Sequence, residues 1–278
     1  MVLILGASGQ LGQEFKKLLE KEEVNHRCWD RKELDMNEID SIQEKFKEKK
    51  FKVIINCAAY NDVDKAQEER EICYRVNTYG PRELAHVARK MGAVLIHFST
   101  GFIFDGNRMV PYLEDTEPNP LGEYGASKAL GERLVMETWG ESLVLRTSWL
   151  YGKNGNNFVK NLLKWSEKSK VLRVVDDQVA TPTSAKDLAK YTWKLYNKEV
   201  YGIYNLTNGG GVSKYNFARY ILEAVGWEGE VIPCKSYEFK GLCERPKYSV
   251  LSLEKVERIL GERIPSWEKA VEEFLNDK

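Results

Sequence analysis

Charge of one sign is not in excess in this sequence: 42 Lys and Arg residues meet 42 Asp and Glu. That leaves no global field to attract nucleic acid or an anionic membrane surface, and neither partner is expected. Cysteine is scarce and scattered. Cys28, Cys57, Cys73, Cys234 and Cys243 form no Cys-x-x-Cys pair, and their odd number argues against a disulfide framework or a zinc site. Reduced thiols in a cytoplasmic protein are the expectation. The three histidines, His26, His86 and His97, lack ligand spacing. No apolar run approaches the ~18–20 residues of a membrane span. The start, Met1 to Gly6, has neither a basic opening nor a small-residue cleavage site, so a first strand rather than a signal peptide is expected. No internal repeat or low-complexity tract is present.

What is there reads as a folded α/β chain. Apolar residues at 42% and aromatics at 11% of 278 residues argue against disorder, and the length suffices for one large domain or two modest lobes. Short apolar runs (2–5, 24–29, 53–56, 94–99, 143–147) alternate with helix-period stretches, including one from about Glu69 to Lys90. That alternation predicts a Rossmann-like, doubly wound parallel sheet covered by helices on both faces. Residues 1–150 are assigned to a dinucleotide-binding domain and 151–278 to a smaller C-terminal substrate-binding lobe. Some elements within 171–206 are expected to return to the main sheet. Between Ser99 and Tyr124 the pattern lapses into an irregular connection whose prolines and aromatics suggest an ordered loop over a site.

Gly6-Ala7-Ser8-Gly9-Gln10-Leu11-Gly12 joins the first strand to the first helix. A turn this tight needs residues without Cβ, so that backbone N–H groups can approach a diphosphate. The helix behind it adds aligned donors and partial positive charge. Following an N-terminal strand, the motif predicts a dinucleotide site with Gly6, Gly9, Gln10, Leu11 and Gly12 at the cofactor. Asp30, eighteen residues after Gly12, could accept hydrogen bonds from ribose hydroxyls and favour NADH. Adjacent Arg31 would suit a 2′-phosphate and favour NADPH, so the choice stays open. The small residues of Asn56-Cys57-Ala58-Ala59-Tyr60 permit close approach of a flat cofactor.

Tyr124-Gly125-Ala126-Ser127-Lys128 places a phenol and an amine on one helix face. A phenol titrates near ~10 in water, and an ammonium beside it favours the phenolate. Lys128 is therefore expected to lower the pKa of Tyr124 for proton transfer. Ser99-Thr100 ends an apolar strand, where the carboxyl ends of a parallel sheet line a ligand crevice; a hydroxyl there can donate to a carbonyl oxygen. Glycine-rich turn, Ser-Thr and Tyr-x-x-x-Lys in this order predict hydride transfer.

These stretches, with Leu34-Asp35, Val63-Asp64-Lys65-Ala66, Asn77, Phe104-Asp105-Gly106, Gly131-Glu132, Arg146-Thr147-Ser148-Trp149, Gly155-Asn156-Asn157-Phe158, Asp177-Gln178, Thr181-Pro182-Thr183 and Arg245-Pro246, cover most of the chain. It resembles the extended short-chain dehydrogenase/reductase superfamily and, within it, the dTDP-4-dehydrorhamnose reductase family. The resemblance implies NAD(P)H-dependent reduction of the C4 ketone of a dTDP-hexose to give dTDP-L-rhamnose. Tyr124 would donate the proton, Lys128 would tune it and Thr100 would orient the carbonyl. Asp35, Met36, Ala58, Ala59, Tyr60, Asn77 and Ser99 would border the cofactor with Tyr124 and Lys128. Thr100, Gly101, Trp149, Asn157 and Arg245 would meet the substrate; a guanidinium suits a diphosphate. Glu14 sits where some relatives hold Mg²⁺, but one carboxylate makes no site and no metal is assigned. A homodimer is left open.

The family usually reads Ser-Thr-Asp-Tyr where this chain reads Ser99-Thr100-Gly101-Phe102, and Ala180 stands where glycine is common. Gly101 and Phe102 cannot supply the acid–base pair of a 4,6-dehydratase. Another nucleotide-sugar reductase, a 4-epimerase, or a non-catalytic cofactor-binding subunit like the methionine adenosyltransferase β subunit are the competing readings.

Overall fold

The computed structural model describes residues 1–239 and 241–277. In the first half β1 (Val2–Leu5) leads into α1 (Gln10–Lys21), followed by β2 (His26–Trp29), α2 (Ile39–Lys45) and β3 (Val53–Asn56). Then come α3 (Arg70–Tyr74), α4 (Gly80–Met91), β4 (Val94–Thr100), α5 (Glu123–Thr138) and β5 (Ser142–Thr147). The second half runs β6 (Leu150–Tyr151), α6 (Phe158–Lys168), β7 (Val171–Val175), β8 (Val179–Ala180), β9 (Thr183–Ser184) and α7 (Ala185–Tyr196). It ends with β10 (Gly202–Asn205), β11 (Val212–Ser213), α8 (Lys214–Ala224), β12 (Glu230–Cys234), α9 (Glu254–Leu260) and α10 (Trp267–Asn276).

Six strands form one parallel sheet in the order β2-β1-β3-β4-β5-β10. β1 and β3 are buried along their whole length, as strands covered on both faces must be. On one face Phe15 and Leu19 of α1 pack with Leu188, Tyr191 and Trp193 of α7. On the other, Leu84 and Ala88 of α4 pack with Ile42 and Phe46. The order of strands reverses between β1 and β3, which opens a crevice at their carboxyl ends.

Within the 171–206 stretch, α7 and β10 return to the main sheet. β7 does not: it pairs in parallel with β12, and its inward residues Leu172 and Val174 join a separate apolar cluster with Tyr151, Val159, Phe217, Ile221 and Trp267. β12 was not foreseen, since Pro233 and its exposed residues disguise it. The irregular connection after β4 is tied down by aromatics. The Phe104 and Tyr112 rings stack with centroids 4.1 Å apart, and the Tyr112 N–H donates to the Val250 carbonyl oxygen at 2.9 Å.

Candidate active site

The first bend opens at Gly6, whose φ is +66°; a Cβ there would stand 2.8 Å from the Ala58 backbone nitrogen. Glycine lets the turns after β1 and β3 touch, which leaves a floor without side chains. α1 has Gly9 as its N-cap and no side-chain oxygen closing it, so its first-turn N–H groups are free of that competition. This cradle fits the diphosphate of a dinucleotide. Asp30 is turned into it: its Oδ1 accepts the Ser8 N–H at 2.7 Å. Arg31 lies exposed beside it, and its Nε donates to Asp35 Oδ2 at 2.8 Å. Met36 is buried behind them.

The predicted helix from Glu69 to Lys90 is interrupted by a π-helical turn at Arg75–Tyr79. Pro81 has no N–H to give to the carbonyl four residues back, at Asn77, and the ladder slips there. The slip has a use. The Asn77 Oδ1 accepts the Tyr60 N–H at 2.9 Å, while its Nδ2 donates to the Tyr60 carbonyl at 3.0 Å and to Ser127 Oγ at 3.2 Å. One buried amide thereby fastens the Ala58-Ala59-Tyr60 turn to the helix carrying Tyr124.

α5 starts flush against the end of β4. A Cβ at Gly125 would lie 2.2 Å from the Phe102 carbonyl oxygen, so glycine there brings Tyr124 alongside Thr100. Thr100 Oγ1 accepts the Phe102 N–H at 3.2 Å, and the Phe102 ring meets the Tyr124 ring edge-on with centroids 6.0 Å apart. Tyr124 keeps part of its ring open to solvent, but its hydroxyl lies deep. Burial pushes the phenol up to about 12, against the opposing hydrogen bond with Thr100. This departs from the expectation of a phenol drawn down by Lys128. The Lys128 ammonium instead gives a hydrogen bond of 2.5 Å to the Phe98 carbonyl. Burial pushes it down to about 8, partly opposed by Glu132. For each group desolvation is the dominant influence, and neither acts appreciably on the other. Ser99 Oγ and Thr147 Oγ1, at the carboxyl ends of β4 and β5, are buried without a partner.

On the other side of the crevice, Trp149 leaves β5 with a φ of +40°, a conformation rare for a bulky residue. Asn157 is spent on structure: its Oδ1 caps α6 through the Lys160 N–H at 3.1 Å, and its Nδ2 donates to the Gly152 carbonyl at 2.8 Å and to Gln10 Oε1 at 3.4 Å. Gln10 in turn donates to the Leu150 carbonyl at 3.3 Å, joining the phosphate turn to the second half of the chain. Arg245 is also engaged. Its Nη1 and Nη2 donate to the two oxygens of Asp64 at 2.7 and 2.5 Å, and this guanidinium holds the Asp64 carboxyl down at about 2. Gly101 is buried, and a Cβ on it would come 3.1 Å from the Ser249 carbonyl oxygen. The segment around Ser249 thus occupies the space a larger side chain would need. Glu14 pairs with Lys17 at 2.7 Å; among the described residues no group of three acidic, His or Cys side chains is arranged to hold a metal.

Sequence reasoning missed Asp64 as a partner of Arg245, since 181 residues separate them, and it missed Lys214. Lys214 carried a readable signal: a cation following the N-cap Ser213 opens a helix against its own dipole.

The whole chain, residues 1–278, matches the family model described as the RmlD substrate binding domain. It is 36% identical over 277 residues to the spore coat polysaccharide biosynthesis protein SpsK of Bacillus subtilis, covering 100% of this chain and 97% of that one. It is 37% identical to a dTDP-4-dehydrorhamnose reductase of Aggregatibacter actinomycetemcomitans, covering 97% and 96%. Among solved structures, the dTDP-4-dehydrorhamnose reductase of Bacillus anthracis in complex with NADP superposes with a TM-score of 0.95 at 38% identity, over 100% of this chain and 99% of that one.

Proposed function

The chain belongs to the RmlD substrate-binding-domain family, and from that premise we propose that it reduces the C4 ketone of dTDP-4-dehydro-L-rhamnose to the alcohol of dTDP-L-rhamnose, using NADPH or NADH. The observation that carries this reading is the junction of α5 with β4, where Gly125 lets Tyr124 stand beside Thr100 at the mouth of the crevice that Gly6 keeps clear. A bound NAD(P)H supplies the hydride. The bare turn at Gly6 and the uncapped start of α1 support a diphosphate. Ala58, Ala59 and Tyr60, pinned by Asn77, form the wall beside it. Asp30 and Arg31 stand at the ribose end.

With its pKa at about 12, Tyr124 is protonated at neutral pH, the state an acid requires. It gives its proton to the C4 oxygen as negative charge develops there, and the Thr100 hydroxyl steadies the same oxygen. Loss of that proton leaves a phenolate one helical turn from the Lys128 ammonium, so the pair of charges forms only during reaction, when it is needed. The reading keeps a cofactor half up to about residue 150 and a substrate lobe after it that rests on its own apolar cluster, with α7, β10 and α9 returning from the second half to pack with the main sheet. Trp149 contributes to the sugar pocket. No described helix is long and apolar enough to cross a membrane, in keeping with a cytoplasmic enzyme; a homodimer is part of the reading.

The test follows NAD(P)H absorbance with dTDP-4-dehydrorhamnose. Oxidation coupled to formation of dTDP-L-rhamnose is expected. A purified protein that binds NADPH normally and leaves both compounds unchanged would overturn the reading. Stoichiometric NAD retained through purification, with interconversion of C4 epimers, would replace it with an epimerase.

A further inference from the structure

Lys214 is a cation with nothing to answer it. Its Nζ lies 5.2 Å from the centre of the Trp149 ring and 5.6 Å from that of Phe158. Among the described residues its one polar partner is Gln178 Oε1 at 3.4 Å, long for such a bond. Among the described residues no carboxylate pairs with it. The charge that faces it is a second cation, Arg245, and burial together with that charge pushes the ammonium down to about 8. The nearby anion, Asp64, is already gripped by Arg245. A half-buried ammonium in this condition is held at some cost until an anion arrives. Its location says which anion. Trp149, against whose ring the ammonium rests, lies two residues beyond Thr147, the register partner of Thr100, which ties the ammonium to the strand ends that line the crevice.

We propose that Lys214 recognises the diphosphate of the nucleotide-sugar substrate, its ammonium pairing with a phosphate oxygen while Arg245 stays locked to Asp64. The proposal rests on the nucleotide-sugar reading given above. It shifts anion recognition from the guanidinium, whose fork is taken, to the lysine, whose donors are open. The two aromatic faces act as a guide: they tolerate the ammonium and offer it no competing acceptor. A lysine that only filled space would be replaced by a methionine without loss, because the stem is apolar and the charge is a burden.

Titration calorimetry of wild type, Lys214→Met and Lys214→Arg with dTDP, thymidine and NADPH tests this, alongside steady-state kinetics and thermal midpoints. Lys214→Met should weaken dTDP binding and raise KM for the nucleotide sugar by about 10- to 100-fold, the range for losing one charge-assisted contact. Thymidine, NADPH and kcat should stay within about threefold of wild type. Lys214→Arg should recover most of the dTDP affinity. The free Lys214→Met protein should melt at the same temperature or higher, so that the loss of dTDP affinity cannot be put down to a loosened fold. Unchanged dTDP affinity in Lys214→Met, or a loss confined to NADPH, overturns the proposal while leaving the reductase reading intact. Failure of the wild type itself to bind dTDP would overturn both.

Discussion

Two cations in this molecule, one buried and one half-buried, have opposite circumstances. Beneath the crevice, Arg146 gives hydrogen bonds of 3.1, 3.0 and 2.8 Å to the Glu132 carboxylate and one of 2.9 Å to the Glu114 carbonyl. Both side chains of that pair are 3% exposed. At the crevice itself, Lys214 gives a single long bond to an amide. The same contrast holds for neutral groups. Asn77 below the crevice satisfies its amide at both ends, whereas Ser99 and Thr147 at the strand ends are buried with idle hydroxyls. Burial without partners is expensive. Unpartnered buried polar atoms also occur elsewhere, on Ser142, Tyr151 and Thr192 among others, but those of Ser99 and Thr147 stand at the carboxyl ends of β4 and β5, where a ligand could meet them. Below the crevice, Arg146 and Asn77 spend their hydrogen bonds on the scaffold.

Substitutions on the two sides should therefore fail in different ways. The largest effect is expected at the crevice. Tyr124→Phe removes the proton donor alone and should lower kcat by ~10²–10⁴, with NADPH affinity and thermal midpoint near wild type, since the phenol is a desolvated group whose loss relieves burial. Turnover of the variant at the wild-type rate would show that another group is the acid. The counterpart below the crevice is Glu132→Ala. It strands the Arg146 guanidinium in the core and should cost about 3–5 kcal/mol of stability, read by chemical denaturation. A loss near zero would mean that the pair is not the anchor its geometry suggests. Any loss of activity in that variant should follow the fraction unfolded, not kcat of the folded molecules.

The division also explains what the sequence made legible. The glycine turn, the Ser-Thr pair and Tyr-x-x-x-Lys are local patterns whose chemistry is carried by residues within one or two turns, and they converge at the carboxyl ends of β1 and β4 in the structure. The pairings that hold the rim are not local. Arg245 looked like a free ligand for a diphosphate because its partner Asp64 lies in the other half of the chain. Asn157, expected at the substrate, has a further role as a cap of α6 and a brace for Gln10 that depends on where α6 begins and so was not legible. The sign of the Tyr124 shift was out of reach for a related reason: an ammonium four residues away is visible in a sequence, whereas the desolvation that raises the phenol is not. The π-helical turn was within reach, since Pro81 follows Asn77 by four residues.

The smallest effect is a pH dependence, and it distinguishes the two regions by a group that belongs to the scaffold but is not fully served by it. His97 lies inside β4, where its Nδ1 meets Asn56 Nδ2 at 3.1 Å. Asn56 Oδ1 accepts the Ala58 N–H at 3.2 Å, which leaves Nδ2 to donate and assigns the ring proton to Nε2, an atom without a partner. Burial, with the Lys128 charge adding, holds the imidazole well below its ordinary 6.5. The folded state therefore stays neutral where the unfolded state takes up a proton. Stability from this group is complete above the unfolded value of about 6.5 and is lost as pH falls below it, at up to ~1.4 kcal/mol per pH unit. Denaturation midpoints for wild type and His97→Gln, whose amide can still accept from Asn56, should converge as pH falls from 7.5 to 5, because only the wild type carries this slope. Parallel pH profiles would show that His97 is protonated in the folded protein, and its burial would then require a carboxylate or water that the surrounding strands do not supply.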